Sequence, residues 1–101
     1  MSLQEINKRL EELIPLMDTE LRKLQQIEYT YNSRYYELFL NSQLGTEGKR
    51  EAEVMGILEA EGFLRPFKEQ KIEFRTLLAE KETLIVIAAN IRAERRNDKD
   101  M

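Results

Sequence analysis

The stretch "LQEINKRLEELIPLMDTELRKLQQIEYTYNSRYYEL", residues 3–38, carries a seven-residue repeat that decides the fold. Leu3, Leu10, Met17, Leu24, Tyr31 and Leu38 recur at that interval, with Ile6, Leu13 and Ile27 between them. Side chains three and four apart share one face of an α-helix, so this row is an apolar seam that packs lengthwise on a neighbour. Glu20, Arg34 and Asn41 interrupt the interleaved positions, which makes the seam cleanest in its first half and unlike an uninterrupted two-stranded zipper. Pro15 lies inside the pattern and lacks a backbone donor, so it is expected to kink this helix or to split it.

Outward from the seam, local stop and start signals divide the chain. "LGTEG", residues 44–48, predicts the end of a first helix spanning about 3–44, with Gly45 in the left-handed conformation and Thr46 capping the next helix. A second helix is expected over about 47–61, ended by Gly62, and Gly56 within it lowers its intrinsic helicity. Pro66 suits the first turn of a third helix, expected over about 66–96 and followed by a frayed tail. Phe67, Phe74, Leu77, Leu78, Leu84, Ile85, Ala88 and Ile91 fall on one face of that helix at helical spacing. Val86 and Ile87 lie off that face, which predicts burial by more than one neighbour there. "TLIVI", residues 83–87, is rich in β-branched residues and is the one segment with a competing reading as a strand.

The fold class that follows is all-α: a single domain over 1–101, an elongated antiparallel hairpin of two long helices joined by a short one. At 1.5 Å rise per residue the hairpin would be about 45 to 60 Å long. So thin a structure has little core, and assembly of copies into an oligomeric helical bundle is expected to cover the surplus apolar surface.

Composition narrows the chemistry. Cysteine and histidine are both absent, which excludes disulfides, thiolate metal sites and cysteine nucleophiles and removes the commonest general base near neutral pH. A carboxylate-bridged metal site in a bundle would lack its usual Glu-x-x-His pairs. No catalytic residue, metal or cofactor is therefore expected. "GTEGKR", residues 45–50, has an outward likeness to a phosphate loop but lacks its spacing, its Ser or Thr after the lysine and its preceding strand. The net charge of −3 argues against a general nucleic-acid binder. A local contact to an anion or nucleic acid through Arg34, Lys49 and Arg50 remains open, because backbone donors and cations meet at a helix start. The N-terminal segment lacks the apolar run of a secretory signal, and "LIVIAA" at 84–89 is far below the roughly 20 residues a membrane span needs. A cytoplasmic protein with no membrane contact is the expectation.

All four tyrosines lie in "YTYNSRYYELFL", residues 29–40. They form two stripes. Tyr31 and Tyr35 continue the seam and are expected in the core, whereas Tyr29, Tyr36, Leu40 and Leu44 project from nearly the opposite side. That second stripe needs its own cover, which can be the second helix, another copy of the chain or a foreign protein, and tyrosine suits an interface because an apolar ring carries a hydroxyl that tolerates a wet rim.

The run "SRYYELFLNSQLGTEGKREAEV", residues 33–54, followed by a long charged helix ending in "NIRAERR", residues 90–96, resembles small helical proteins encoded in the early or recombination regions of bacteriophages and prophages. The resemblance covers about half of the chain and has no diagnostic motif, so no functional residue is carried over. Proteins of that kind mostly have no assigned activity and many bind a host or phage protein; together with the missing cysteine and histidine this makes a non-enzymatic accessory or inhibitor in a bacterial host the leading expectation. The alternatives are an accessory factor of phage replication or recombination that associates with nucleic acid, and an oligomer that binds a small ligand.

Overall fold

The computed structural model describes the backbone of residues 1–100 and the side chains of residues 1–97. The described residues form three helices, α1 (Leu3–Asn41), α2 (Glu47–Ala60) and α3 (Leu64–Asp100). No strand occurs among the described residues, and "TLIVI" lies wholly within α3. It has helical flanks on both sides and no partner strand, so backbone hydrogen bonding along one helix prevails over β-branching.

The start of α1 is set by Ser2, whose Oγ accepts the Glu5 backbone N–H at 3.1 Å and lies 3.2 Å from the Glu5 carboxylate. The serine thus caps the helix start and its hydroxyl donates to the Glu5 carboxylate. Pro15 does not split the helix. Its missing donor leaves one intrahelical bond unmade, but Leu13 before it and Met17 after it both pack toward α3, and burial on both sides keeps the helix continuous.

The first helix ends at Asn41, three residues earlier than the glycine signal predicts. Ser42 is extended (φ −69°, ψ 135°), its Oγ donates to Glu53 at 2.6 Å, and the same oxygen accepts the Leu44 N–H at 3.3 Å. This serine does the work expected of Gly45, which is not left-handed. Thr46 caps α2 as expected, accepting the Lys49 N–H at 3.3 Å. At the far end Gly62 has φ +81°, with Gly62 N–H donating to Glu59 O at 3.1 Å and Phe63 N–H to Leu58 O at 3.0 Å. That pair of bonds is a Schellman motif. Pro66 sits in the first turn of α3, where its lack of an N–H costs nothing. The third helix starts two residues before the expected point and continues beyond Arg96 to Asp100; Met101 lies outside the described residues.

Contacts between α1 and α3 run in opposite order along the two chains. Arg9 meets Glu80, Glu20 meets Gln70, and Tyr31 stacks on Phe67. The aliphatic core holds Ile6, Leu13, Leu84 and Ala88, flanked by half-buried Leu3, Leu10, Met17, Leu77, Ile87 and Ile91. Beyond Tyr31 the first helix outruns the start of α3, and α2 folds back alongside it with Val54 and Leu58 fully buried. This overhang and the 37-residue α3 bring the longest dimension to 73 Å, above the expected length, with cross-dimensions of 25 and 16 Å. The radius of gyration is 21.4 Å, against about 13 Å for a compact domain of this length.

Two of the three polar interruptions of the seam, Glu20 and Arg34, have partners. Gln70 Nε2 donates to the Glu20 carboxylate at 2.6 Å and to the Glu20 carbonyl at 3.1 Å. Arg34 is held by Glu61 and Glu37. On α3 the expected face is buried at Phe67, Leu84 and Ala88, but Ile85 is 48% exposed and Val86 58% exposed. The expectation that this stretch is covered on several sides does not hold within one chain, because α1 alone lies beside it.

Candidate interaction surfaces

The tyrosine segment sits where α1 meets both other helices. Phe67, Tyr31, Tyr35 and Phe39 form a row on one side of α1, with ring centroids 4.6, 6.5 and 6.0 Å apart in turn. Spacing of four residues places Tyr31, Tyr35 and Phe39 one turn apart on one face. The second helix closes on this row, since the Tyr31 hydroxyl donates to Met55 Sδ at 3.3 Å and the Arg50 guanidinium lies 5.8 Å over the Phe39 ring. Both tyrosines expected in the core, Tyr31 and Tyr35, are half-buried here. Desolvation, reinforced by the carboxylate of Glu51, pushes the Tyr35 phenol above its ordinary pKa.

The opposite stripe stays open. Tyr29 is 76% exposed, Tyr36 63% and Leu40 80%, while Leu44 in the following turn is at 39%. Cover by α2, one of the three possibilities for this stripe, does not occur for Tyr29, Tyr36 and Leu40, because α2 lands on the Tyr31–Phe39 side. Tyr36 is fixed only from below, by an edge-on contact with the Tyr35 ring at 5.6 Å. The stripe is therefore a row of large apolar side chains on a helix whose other face is packed.

The three cations considered for an anion contact do not converge. Arg34 is bidentate to Glu61, with Nε at 2.9 Å and Nη2 at 2.6 Å, and its Nη1 lies 3.0 Å from Glu37. The bond to Glu61 raises the guanidinium pKa further above its ordinary range and holds Glu61 below the usual carboxylate value. Arg50 donates through Nε to the Leu44 carbonyl at 2.7 Å. Lys49 is exposed at the start of α2. Two of the three are thus committed to structural partners, one tying α1 to the end of α2 and one tying α2 to the loop before it.

A second apolar surface escaped the sequence pattern. A groove of about 380 Å³ runs along one edge of the α1–α3 seam, lined by Leu10, Leu13, Ile14, Met17, Lys81 and Ile85. Ile14 is 69% exposed. The available signal was Ile14 followed seven residues later by Leu21, a second apolar row beside the seam, visible once the rotation of α3 about its axis is known. No helix among the described residues is long and apolar enough to cross a membrane. No protein-family model matches the chain, and comparison with curated proteins and with solved structures finds no match.

Proposed function

We propose that this chain is a non-enzymatic helical interaction protein, in which α1 and α3 form an elongated hairpin that associates with further copies and presents Tyr29, Tyr36 and Leu40 to a protein partner. The carrying observation is the exposure of those three residues in a row on the outer face of a packed helix. Rings held on a helix lose little conformational freedom on docking, and aromatic residues dominate the energetics of protein interfaces. In keeping with the resemblance described above, the partner is a host or phage protein and the setting is the cytoplasm of a bacterial host, with the chain as an accessory or inhibitor. The reading as a nucleic-acid accessory factor draws less support, since Arg34 and Arg50 already have partners. Nothing in the arrangement of side chains favours the small-ligand reading over these two.

The test compares the wild-type protein with the double variant Tyr29→Ser/Tyr36→Ser as immobilised bait in a bacterial extract. A partner retained in stoichiometric amount by the wild type and lost by a variant of unchanged helicity supports the proposal. Equal retention by both would remove the tyrosine stripe from it. Salt-sensitive binding of DNA by the wild type, weakened by Lys49→Glu or Arg50→Glu, would favour the nucleic-acid reading instead.

A further inference from the structure

The two edges of the α1–α3 seam are built differently. At 3.6 residues per turn, Arg9 and Ile14 lie on opposite edges of the α1 seam, and Glu80 and Ile85 on opposite edges of the α3 seam. One edge is polar and is bridged by an ion pair. There Arg9 is bidentate to Glu80, with Nε to Oε2 at 2.9 Å and Nη2 to Oε1 at 3.0 Å. The other edge is open along the apolar groove, whose floor is core residue Leu13 at 1% exposure and whose walls include Ile14 at 69% and Ile85 at 48%. Leu21 continues that edge by one heptad and is 36% exposed. The groove thus lies directly against the aliphatic core, and its apolar walls are left to solvent.

From these observations we infer that the groove is the surface on which a second copy of this chain docks, edge to edge, closing two hairpins into a four-helix bundle. The inference rests on the proposed self-association and assigns it a place, away from the tyrosine stripe. The area supports a second copy as the occupant. The chain exposes 7763 Å² at 12.0 kDa, roughly 1,800 Å² more than the about 6,000 Å² expected of a compact monomer of that mass. A standard interface removes about 800 Å² from each partner, so one extensive contact between copies brings the chain toward a normal surface. A two-fold contact also matches like with like, since an apolar edge is its own complement and places the aliphatic side chains of both hairpins around one axis. Lys81, the single charged residue of the lining, has a four-carbon stem that can cover apolar surface while its ammonium stays at the wet rim.

The experiment measures molecular mass by light scattering across micromolar concentrations, together with helicity, for the wild type, Ile14→Glu/Ile85→Glu and Tyr29→Ser/Tyr36→Ser. The expected result is an oligomeric wild type and tyrosine variant, and a groove variant that remains helical with its dissociation constant raised at least about 100-fold. A groove variant with unchanged mass overturns the assignment of the groove while leaving self-association intact. A wild type of single-chain mass throughout overturns both. Should the groove variant lose its helicity, Ile14→Cys and Ile85→Cys in this cysteine-free chain decide the matter with a short bismaleimide: covalent dimer from groove cysteines, and none from Glu53→Cys on α2, supports the inference, and absence of dimer from the groove positions overturns it.

Discussion

The two ends of this molecule bury side chains by different means. At the end formed by the beginning of α1 and the second half of α3, two helices share an aliphatic core of Ile6, Leu13, Leu84 and Ala88, bridged by Arg9–Glu80 on one edge and flanked by an apolar groove on the other. At the opposite end a third helix is present, Val54 and Leu58 are fully buried, and an aromatic row takes over the seam. Two helices can enclose a line of side chains but cannot surround it. The added helix, α2, closes this end, and in landing on the Tyr31 side it leaves Tyr29, Tyr36 and Leu40 uncovered. Each end thus exposes apolar surface for its own reason, the first because two helices leave the flanks of their buried seam at the surface and the second because α1 has two apolar faces there and both neighbours pack on the same one.

Truncating one core leucine at each end tests the contrast most strongly. Leu58→Ala is expected to cost about 4 kcal/mol, and Leu13→Ala about 2 to 3 kcal/mol, because the Leu13 site adjoins a groove whose side chains can move to fill the space. Denaturant unfolding of both variants at one protein concentration reads the difference, and a larger loss at Leu13 would reverse the ranking of the two ends. A smaller effect belongs to the joint that brings α2 back. Gly62 has φ +81°, so Gly62→Ala forces a Cβ into the left-handed region at a cost of about 1 kcal/mol. Open space around that position means that no clash adds to it. A melting temperature equal to that of the wild type would show that the turn does not depend on this conformation.

The smallest effect is in pH response. Glu61 is held below its ordinary value by Arg34, so its pairing contributes stability that is present above the unfolded carboxylate value of 4.5 and is lost as pH falls through the lowered folded value. Glu20 behaves alike at mid-length, held down first by Gln70 and then by Lys23. Arg34→Gln is expected to flatten the loss of stability on acidification below pH 4.5 while leaving the Glu20 share in place. Unfolding curves taken at neutral pH and through that acidic window give the comparison. An unchanged acid slope in the variant would mean that the ion pair at the α2 end carries no linkage.

Much of the molecule is legible in local chemistry. The seam residues Leu3 to Leu38 lie buried or half-buried along α1, Thr46 and Gly62 begin and end α2, and Pro66 lies in the first turn of α3. The misreadings share a cause. Gly45 gave way to Ser42 because the carboxylate of Glu53, eleven residues on, offered the serine hydroxyl a partner. Pro15 failed to split α1 because apolar contacts to α3 flank it on both sides. Ile85 counted as core on spacing alone, yet the rotation of α3 that buries Leu84 and Ala88 turns Ile85 to the edge. The candidate surface was half legible, since the tyrosine stripe stands out from its spacing while the groove does not.

Helix type, helix punctuation and the existence of two tyrosine stripes follow from the sequence by itself, because periodicity near 3.6, capping side chains and glycine's access to positive φ act within a few residues. The tertiary structure alone decided which stripe α2 covers, which carboxylates hold Arg9 and Arg34, and which edge of the seam stays open. Those outcomes depend on how far each helix is rotated about its own axis, and that rotation is set by packing between residues dozens of positions apart.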